Sequence, residues 1–310
     1  MLHKNFAAIL LAVAFECCNL QYNDIANSKK KEKNANISEV FNMSQKQIEL
    51  AVFDWAGTTV DYGSSAPAVV FERTFAQEGI HFTRQEINAF MGMEKKGHIR
   101  SLLSTENGTA QWKAVMGREW DEGDVERLYE AFEANLFDVV AEYSAPIPGT
   151  VEAVAKLREM GIKIGSTTGY TGQMMERVIP AAKEGGYSPD CVVTPDVTGA
   201  ARPTPFMLFE CMRQLNVYPP KHVVKVGDTI IDMKEGVNAG AWSIGILTGS
   251  NLLGLTEEEY KAMPAGELEK RKQEAAAKYL EAGADLVIDS ISELPAAIEE
   301  LNRRLAEEVR

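Results

Sequence analysis

The sequence predicts an α/β protein: a doubly wound, parallel, Rossmann-like sheet carrying an inserted helical cap domain. From Ile48 onward, short apolar runs with β-branched residues alternate with stretches of helical period. Several of these runs end in polar or Gly-bearing turns. One long interval, Asp61 to Pro148, breaks the alternation with helical periodicity and no clear strand. Alternation implies a parallel sheet covered on both faces, and the interruption implies an insert.

The candidate strands in order are Glu49–Phe53, Ile162–Ser166, Cys191–Thr194, Val223–Val226, Trp242–Leu247 and Asp285–Ile288. Between them lie helical runs at Val151–Met160, Gly172–Lys183, Pro205–Leu215 and Asp232–Ala239. Inside the insert, the pattern predicts helices over Val69–Gly79, Thr83–Phe90, Lys96–Leu103, Gln111–Met116 and Glu122–Val140. Thr256 to Gly283 reads as one helical stretch whose mixed charges face solvent. The expected division is a core of residues 43–62 and 147–310 and a cap of residues 63–146. Residues 1–42 form an atypical extension.

That extension begins with an apolar run, Phe6 to Phe15, between His3-Lys4 and Cys17-Cys18. The run imitates a short signal peptide and is too short to span a bilayer with margin. Asn23 to Asn42 is Lys/Asn-rich and reads as linker or disorder. Two readings stand: export, or a true start at Met43 with a misread extension upstream. The second is preferred, because the chemistry argued below belongs with cytosolic metabolism; the expected location is cytoplasmic.

A formal net charge of -13 argues against nucleic acid or an anionic membrane as partner. It leaves room for a small anionic substrate, since a metal and a few cationic side chains reverse the field locally. Cys17, Cys18, Cys191 and Cys211 show no metal-site spacing and no secreted-scaffold pattern. Reduced thiols are the plain reading, with Cys191 and Cys211 in the core.

The chemistry-bearing residues fall mostly at strand ends, where ligands bind in such folds. Leu50-Ala51-Val52-Phe53 delivers Asp54 to a tight turn, Gly57-Thr58-Thr59. A carboxylate placed there is a candidate nucleophile and metal ligand, or simply a helix cap. Gly165-Ser166-Thr167-Thr168-Gly169-Tyr170 ends the second strand, so the Thr168 hydroxyl and the Gly169 amide form a candidate anion site. In isolation, Thr168 reads by default as a plain N-cap. Pro203 suits a first helical turn, which sets Arg202 at the helix start, its guanidinium suited to phosphoryl oxygens or merely to solvent. Gly227-Asp228-Thr229-Ile230-Ile231-Asp232 ends another strand. With Asp54 opposite, Asp228 is a candidate direct ligand for Mg²⁺, and Asp232 a ligand through water or an orienter; alone, the pair also reads as capping or solvated carboxylates. In the insert, Met91-Gly92-Met93-Glu94-Lys95-Lys96-Gly97-His98 places Lys95 and His98 on one helical face, with Met91 on it too. A lysine desolvated there is partly neutral and able to form an imine. On residues alone, a solvated Lys95-Lys96 pair is the plainer reading.

Taken together, these segments resemble the haloacid dehalogenase superfamily and, within it, the phosphonoacetaldehyde hydrolase family. Phe53 to Gly63, Met91 to His98, Gly165 to Tyr170, Ala201 to Pro203 and Lys225 to Gly236 carry the likeness, in that order. The resemblance implies that Asp54 attacks phosphorus and Lys95 forms a Schiff base with the substrate aldehyde. It implies Mg²⁺ held by Asp54, the Ala56 carbonyl and Asp228, and phosphonyl oxygens held by Thr168 and Arg202. His98 and Tyr170 are assigned to proton transfers at the imine. It implies a small-molecule partner, phosphonoacetaldehyde, a place in 2-aminoethylphosphonate degradation, and a homodimer. Most phosphatases of the superfamily carry a second aspartate where Ala56 stands here, to protonate an oxygen leaving group. Its absence fits cleavage of a phosphorus–carbon bond and fits ester cleavage poorly. The rivals are a phosphatase acting on a small phosphate ester, a dehalogenase, which needs no Mg²⁺ site, and a catalytically silent binding protein.

Overall fold

Six parallel strands form one sheet in the order β3-β2-β1-β4-β5-β6, from β1 (Leu50–Phe53), β2 (Lys163–Thr167), β3 (Cys191–Val193), β4 (Val223–Gly227), β5 (Trp242–Ile246) and β6 (Leu286–Ile288). The computed structural model describes residues 47–307 apart from 92 and 141–142. The expectations for residues 1–42 and for a start at Met43 lie outside the described residues. All six strands stand where the apolar runs placed them, with ends that differ by one residue at most. This is the doubly wound order, whose direction reverses between β1 and β4.

The pattern within β1 shows why the sheet has two covered faces. Leu50 and Val52 pack with Leu208, Cys211 and Met212, whereas Ala51 and Phe53 join the opposite cluster with Val224 and Val226. Successive side chains alternate across the pleat, and all four residues of β1 are buried. The helices that cover the sheet are α6 (Thr150–Glu159), α7 (Gly172–Glu184), α8 (Pro195–Thr198), α9 (Phe206–Leu215), α10 (Ile230–Ala239), α11 (Glu257–Ala262), α12 (Ala265–Glu281) and α13 (Leu294–Glu307). Cys191 and Cys211 are buried free thiols. The stretch read as one helix from Thr256 to Gly283 is two, α11 and α12, because Pro264 cannot continue a helix and caps the second instead.

Between β1 and α6 the chain forms the helical insert: α1 (Ser65–Gln77), α2 (Arg84–Asn88), α3 (Lys95–Ser104), α4 (Glu106–Met116) and α5 (Glu122–Val139). Phe71, Phe75, Ile99, Leu102, Trp112 and Phe132 are fully buried among these helices. Two helices begin earlier than periodicity predicts. The Asp61 carboxylate accepts the backbone N–H of Ser65 and Ala66, which starts α1 ahead of its apolar stripe. Thr105 accepts the N–H of Gly108 and does the same for α4. No helix among the described residues is long and apolar enough to cross a membrane.

One buried contact ties the far side of the sheet to the strand ends. The Tyr279 hydroxyl on α12 lies 2.6 Å from the carbonyl of Asp228 and 3.0 Å from that of Ile246. Gly245 leaves room for the ring, since a Cβ there would sit 2.6 Å from it. Tyr279→Phe leaves those carbonyls without their donor. Urea denaturation should show a loss of about 1–3 kcal/mol relative to the native chain.

Candidate active site

The strand order determines what meets what. Because β1 lies between β2 and β4, Asp54 at the end of β1 stands between Thr168, which follows β2, and Asp228, which follows β4. Residues two apart in an extended segment face the same way. Asp54 and Ala56 accordingly line one small cavity. Trp55 turns inward, where its indole N–H donates to the Ser166 hydroxyl and its ring packs edge-on against Tyr187. The Gly-Thr-Thr turn has a task at each position. Gly57 has φ +84°, and a Cβ there would lie 2.1 Å from Oδ2 of Asp228, so the turn closes over that carboxylate only with glycine. Thr58 donates to Asp228 Oδ1 at 2.8 Å, and Thr59 donates to the Asp54 carbonyl at 3.0 Å.

A buried charge cluster lies beneath the cavity. Arg202 Nη2 donates to Asp54 Oδ1 at 2.9 Å, and its Nη1 donates to Asp232 Oδ1. Lys225 Nζ lies 3.1 Å from Asp232 Oδ1 and 2.9 Å from Glu235 Oε2, and donates to Thr167 at 2.7 Å. Burial works against both charges on Arg202 and Lys225, but the surrounding carboxylates outweigh it and hold both cations protonated. For Asp232 burial is again the largest influence, and Arg202 and Lys225 overcome it, keeping that carboxyl below its ordinary value. Asp228 is pushed well above the ordinary range by burial and then by Asp54 and Asp232.

Asp54, Asp228 and Asp232 offer oxygen atoms that all lie within 4.8 Å of one another, a donor set suited to a hard divalent cation. Their surroundings separate their roles. Both oxygens of Asp232 are already engaged, one by Arg202 and Lys225, the other by the N–H and hydroxyl of Thr229. Ser64 bridges the remaining donors, its hydroxyl lying 3.0 Å from the Ala56 carbonyl and 3.4 Å from Asp228 Oδ2.

The insert contributes Met91 and Lys95 to the same cavity, with Thr168, Gly169, Tyr170 and Arg202 from the core. Lys95 is 4% exposed. Its Nζ lies 5.1 Å from the centroid of the Tyr170 ring and 5.7 Å from that of Phe71. Burial lowers its pKa to about 8; Asp54 pulls the other way and Arg202 adds to the lowering. The solvated-lysine reading therefore fails for Lys95. It holds better for Lys96, which pairs with Glu126 at 2.7 Å on the outer face.

Three local readings need correction. Met91 is not on the helix of Lys95: α3 starts at Lys95, capped by Glu94, and Met91 reaches the cavity from the preceding turn. Thr168 is not an N-cap. Thr171 caps α7, while the Thr168 hydroxyl accepts the N–H of Tyr170 at 3.1 Å. Pro203 does not open a helix, since α9 begins at Phe206; the Arg202–Pro203 peptide is cis, and the turn it belongs to still aims Arg202 at the strand ends.

His98 is not brought to the cavity wall. It is fully buried within the insert, its Nε2 lying 2.9 Å from the Ile87 carbonyl and its ring 4.0 Å from that of Phe71. Burial, then Lys95, lowers its pKa well below the ordinary histidine value, so it is neutral. Tyr170 is at the wall, its phenol held protonated by burial and by Asp61 and Asp54. Sequence reasoning missed Ser64, Asp61, Lys225 and Glu235. Lys225 had a signal: a lysine in the middle of the apolar run Val223-Val224-Lys225-Val226 is a charge that must be paired. Glu235, one turn after Asp232 on α10, is the partner that signal requires. Asp61 is buried where the insert leaves the core, and burial lifts its pKa to about 7 against the hydrogen bonds from Ala66 and Ser65.

Known proteins are similar to this chain in sequence and fold. A family model described as haloacid dehalogenase-like hydrolase matches residues 48–240. A phosphonoacetaldehyde hydrolase of Parabacteroides distasonis is 48% identical over 260 residues, covering 84% of this chain and 98% of the relative. One from Bacillus cytotoxicus is 47% identical over 258 residues, covering 83% and 98%. The crystal structure of a phosphonoacetaldehyde hydrolase-like protein from Oleispira antarctica superposes with a TM-score of 0.83 at 38% identity, over 85% of this chain and 95% of that one. A hydrolase from Pseudomonas syringae, at 19% identity and a TM-score of 0.58 over 81% and 98%, shares the fold. The chain belongs to the haloacid dehalogenase-like hydrolases and, within them, to the phosphonoacetaldehyde hydrolase family.

Proposed function

We propose that this chain hydrolyses phosphonoacetaldehyde to acetaldehyde and phosphate through an imine on Lys95 and an aspartyl-phosphate on Asp54. One observation carries the reading: a buried lysine, lowered to a pKa of about 8, shares its cavity with a strand-end aspartate that has Ala56 where an acid would stand.

A carbanion is too basic to leave phosphorus unaided. The neutral amine of Lys95 adds to the aldehyde carbon, water departs, and the protonated imine is an electron acceptor beside the carbon that bears phosphorus. Asp54 then attacks phosphorus. The phosphorus–carbon bond breaks, and its electrons move into the iminium to give an enamine. Protonation of the enamine carbon and hydrolysis of the imine release acetaldehyde and restore Lys95; a second water frees phosphate from Asp54. The balance is one water consumed for one aldehyde and one phosphate formed. Since carbon leaves, no acid is needed at Ala56. Tyr170, at the wall and protonated, is suited to deliver a proton near the imine. His98 acts at most by shaping the pocket, through Phe71 beside Lys95.

Arg202 and Thr168 would hold the phosphonyl oxygens, with Arg202 oriented beforehand by Asp232. Asp54, Asp228 and the Ala56 carbonyl fit Mg²⁺, which when bound would neutralise charge on the transferring group. The free space is only about 20 Å³, little more than one water requires, so substrate enters when the insert moves away from the sheet. In this reading the insert is a cap that desolvates Lys95 each time it shuts.

Substrate with borohydride should inactivate the enzyme and label Lys95 alone; normal turnover with no inactivation would sink the imine. With cyanoborohydride, the trapping rate should climb with pH to a plateau, its midpoint at about 8, because the amine is neutral only above its pKa. Lys95→Arg keeps the charge but cannot form an imine, so acetaldehyde release should fall by about 10⁴-fold or more. Chelating divalent cations should stop phosphate release while trapping at Lys95 continues, because that amine stands outside the carboxylate cluster.

A further inference from the structure

A second cavity, of about 470 Å³, opens between the insert and the core and shares no lining residue with the active-site cavity. That volume falls within the range of small-molecule sites. Its walls come from both parts of the fold. Arg84 and Asn88 approach from α2 of the insert; Arg271, Glu274 and Lys278 stand one turn apart along a single face of α12; and Asn251 follows β5. Three cations thus face one carboxylate, in a chain whose net charge is -13.

These groups are short of partners. Arg84 and Lys278 form no ion pair among the described residues, while Arg271 pairs only within its own helix, with Glu267 at 2.9 Å. Glu274 lies 3.9 Å from Lys270. Asn88 already reaches across the junction, since a Cβ on Gly254 would lie 2.9 Å from its Nδ2.

We propose that this cavity binds a small dianion through a phosphate or phosphonate head group, held between Arg84 of the insert and Arg271 and Lys278 of the core. Two guanidiniums and an ammonium match three terminal oxygens better than the two of a carboxylate. The site lies next to the chemistry without being part of it: the backbone N–H of Asn251 donates to Asp228 Oδ2 at 2.8 Å. An ion that joins Arg84 to α12 ties the insert to the core, and so bears on how readily the active-site cavity opens.

Calorimetric titration of the full chain tests this with two probes, inorganic phosphate and ethylphosphonate. The native chain should bind one more equivalent of the preferred probe than the Arg84→Ala, Lys278→Ala double variant, or bind it about tenfold or more tighter at that site. The charge-conserving pair Arg84→Lys, Lys278→Arg should retain the site, which separates lost charge from lost fold. Turnover at low phosphate should persist in both variants, because neither residue touches the reacting groups. Tighter binding of phosphate would identify a product site; tighter binding of ethylphosphonate would identify an organic phosphonate as ligand. Equal stoichiometry and affinity of native chain and double variant for both probes would overturn the proposal.

Discussion

Arg202 sits where the competing charges of this molecule meet. Its guanidinium joins Asp54 to Asp232 with Glu235 4.0 Å away, and all four side chains are buried. Counting Asp228, the cluster holds four carboxylates against Arg202, Lys225 and the nearby Lys95. Charges withdrawn from water are tolerated only when paired and hydrogen-bonded. Arg202 and Lys225 achieve this for Asp54, Asp232 and Glu235, and Asp228 is left as the group in excess. Its raised pKa expresses that imbalance, which is the condition under which a divalent cation binds well.

The same economy explains the fold around the site. Parallel strands bury their middles and expose only their ends, so chemistry gathers at the carboxyl edge. Lys225 breaks that rule by standing inside β4, and it is tolerated because Asp232, Glu235 and Thr167 all reach it. Tyr279 and the Gly57 turn then hold the Asp228 segment from below and above. Arg202, Lys225, Asp54, Asp232, Glu235 and Thr167 each hold at least one other of the group, so they fix one another's positions.

Lys95 belongs to a different environment. It comes from the insert and enters a wall of Tyr170, Met91 and Phe71 that offers it little polar contact. Burial lowers its pKa while Asp54 resists, and the balance leaves an amine that is partly neutral near pH 8. In the proposed cycle, an insert that moved would change both access to the cavity and the reactivity of its lysine. His98, which shares the helix face of Lys95, lends its ring to the packing around Phe71 instead of meeting the cavity.

The six strands and the helical insert were legible in the sequence because apolar period and turn residues are local signals. The convergence of Asp54, Ala56, Thr168 and Asp228 was legible too, since each closely follows a strand and strand ends converge; Arg202, beyond α8, was expected there from a helix start that Pro203 does not make. Helix starts were harder: α1 and α4 begin on hydrogen bonds from Asp61 and Thr105, which no apolar stripe records. The role of Ser64, the withdrawal of His98 and the depressed pKa of Lys95 depend on what packs around them from elsewhere in the chain, whereas Lys225 and Glu235 left a signal that went unread. By itself, the order of residues determined which groups reach the carboxyl edge of the sheet. Only the tertiary structure decided which of them lose their water, because burial is a property of what packs on top and not of the residue beneath.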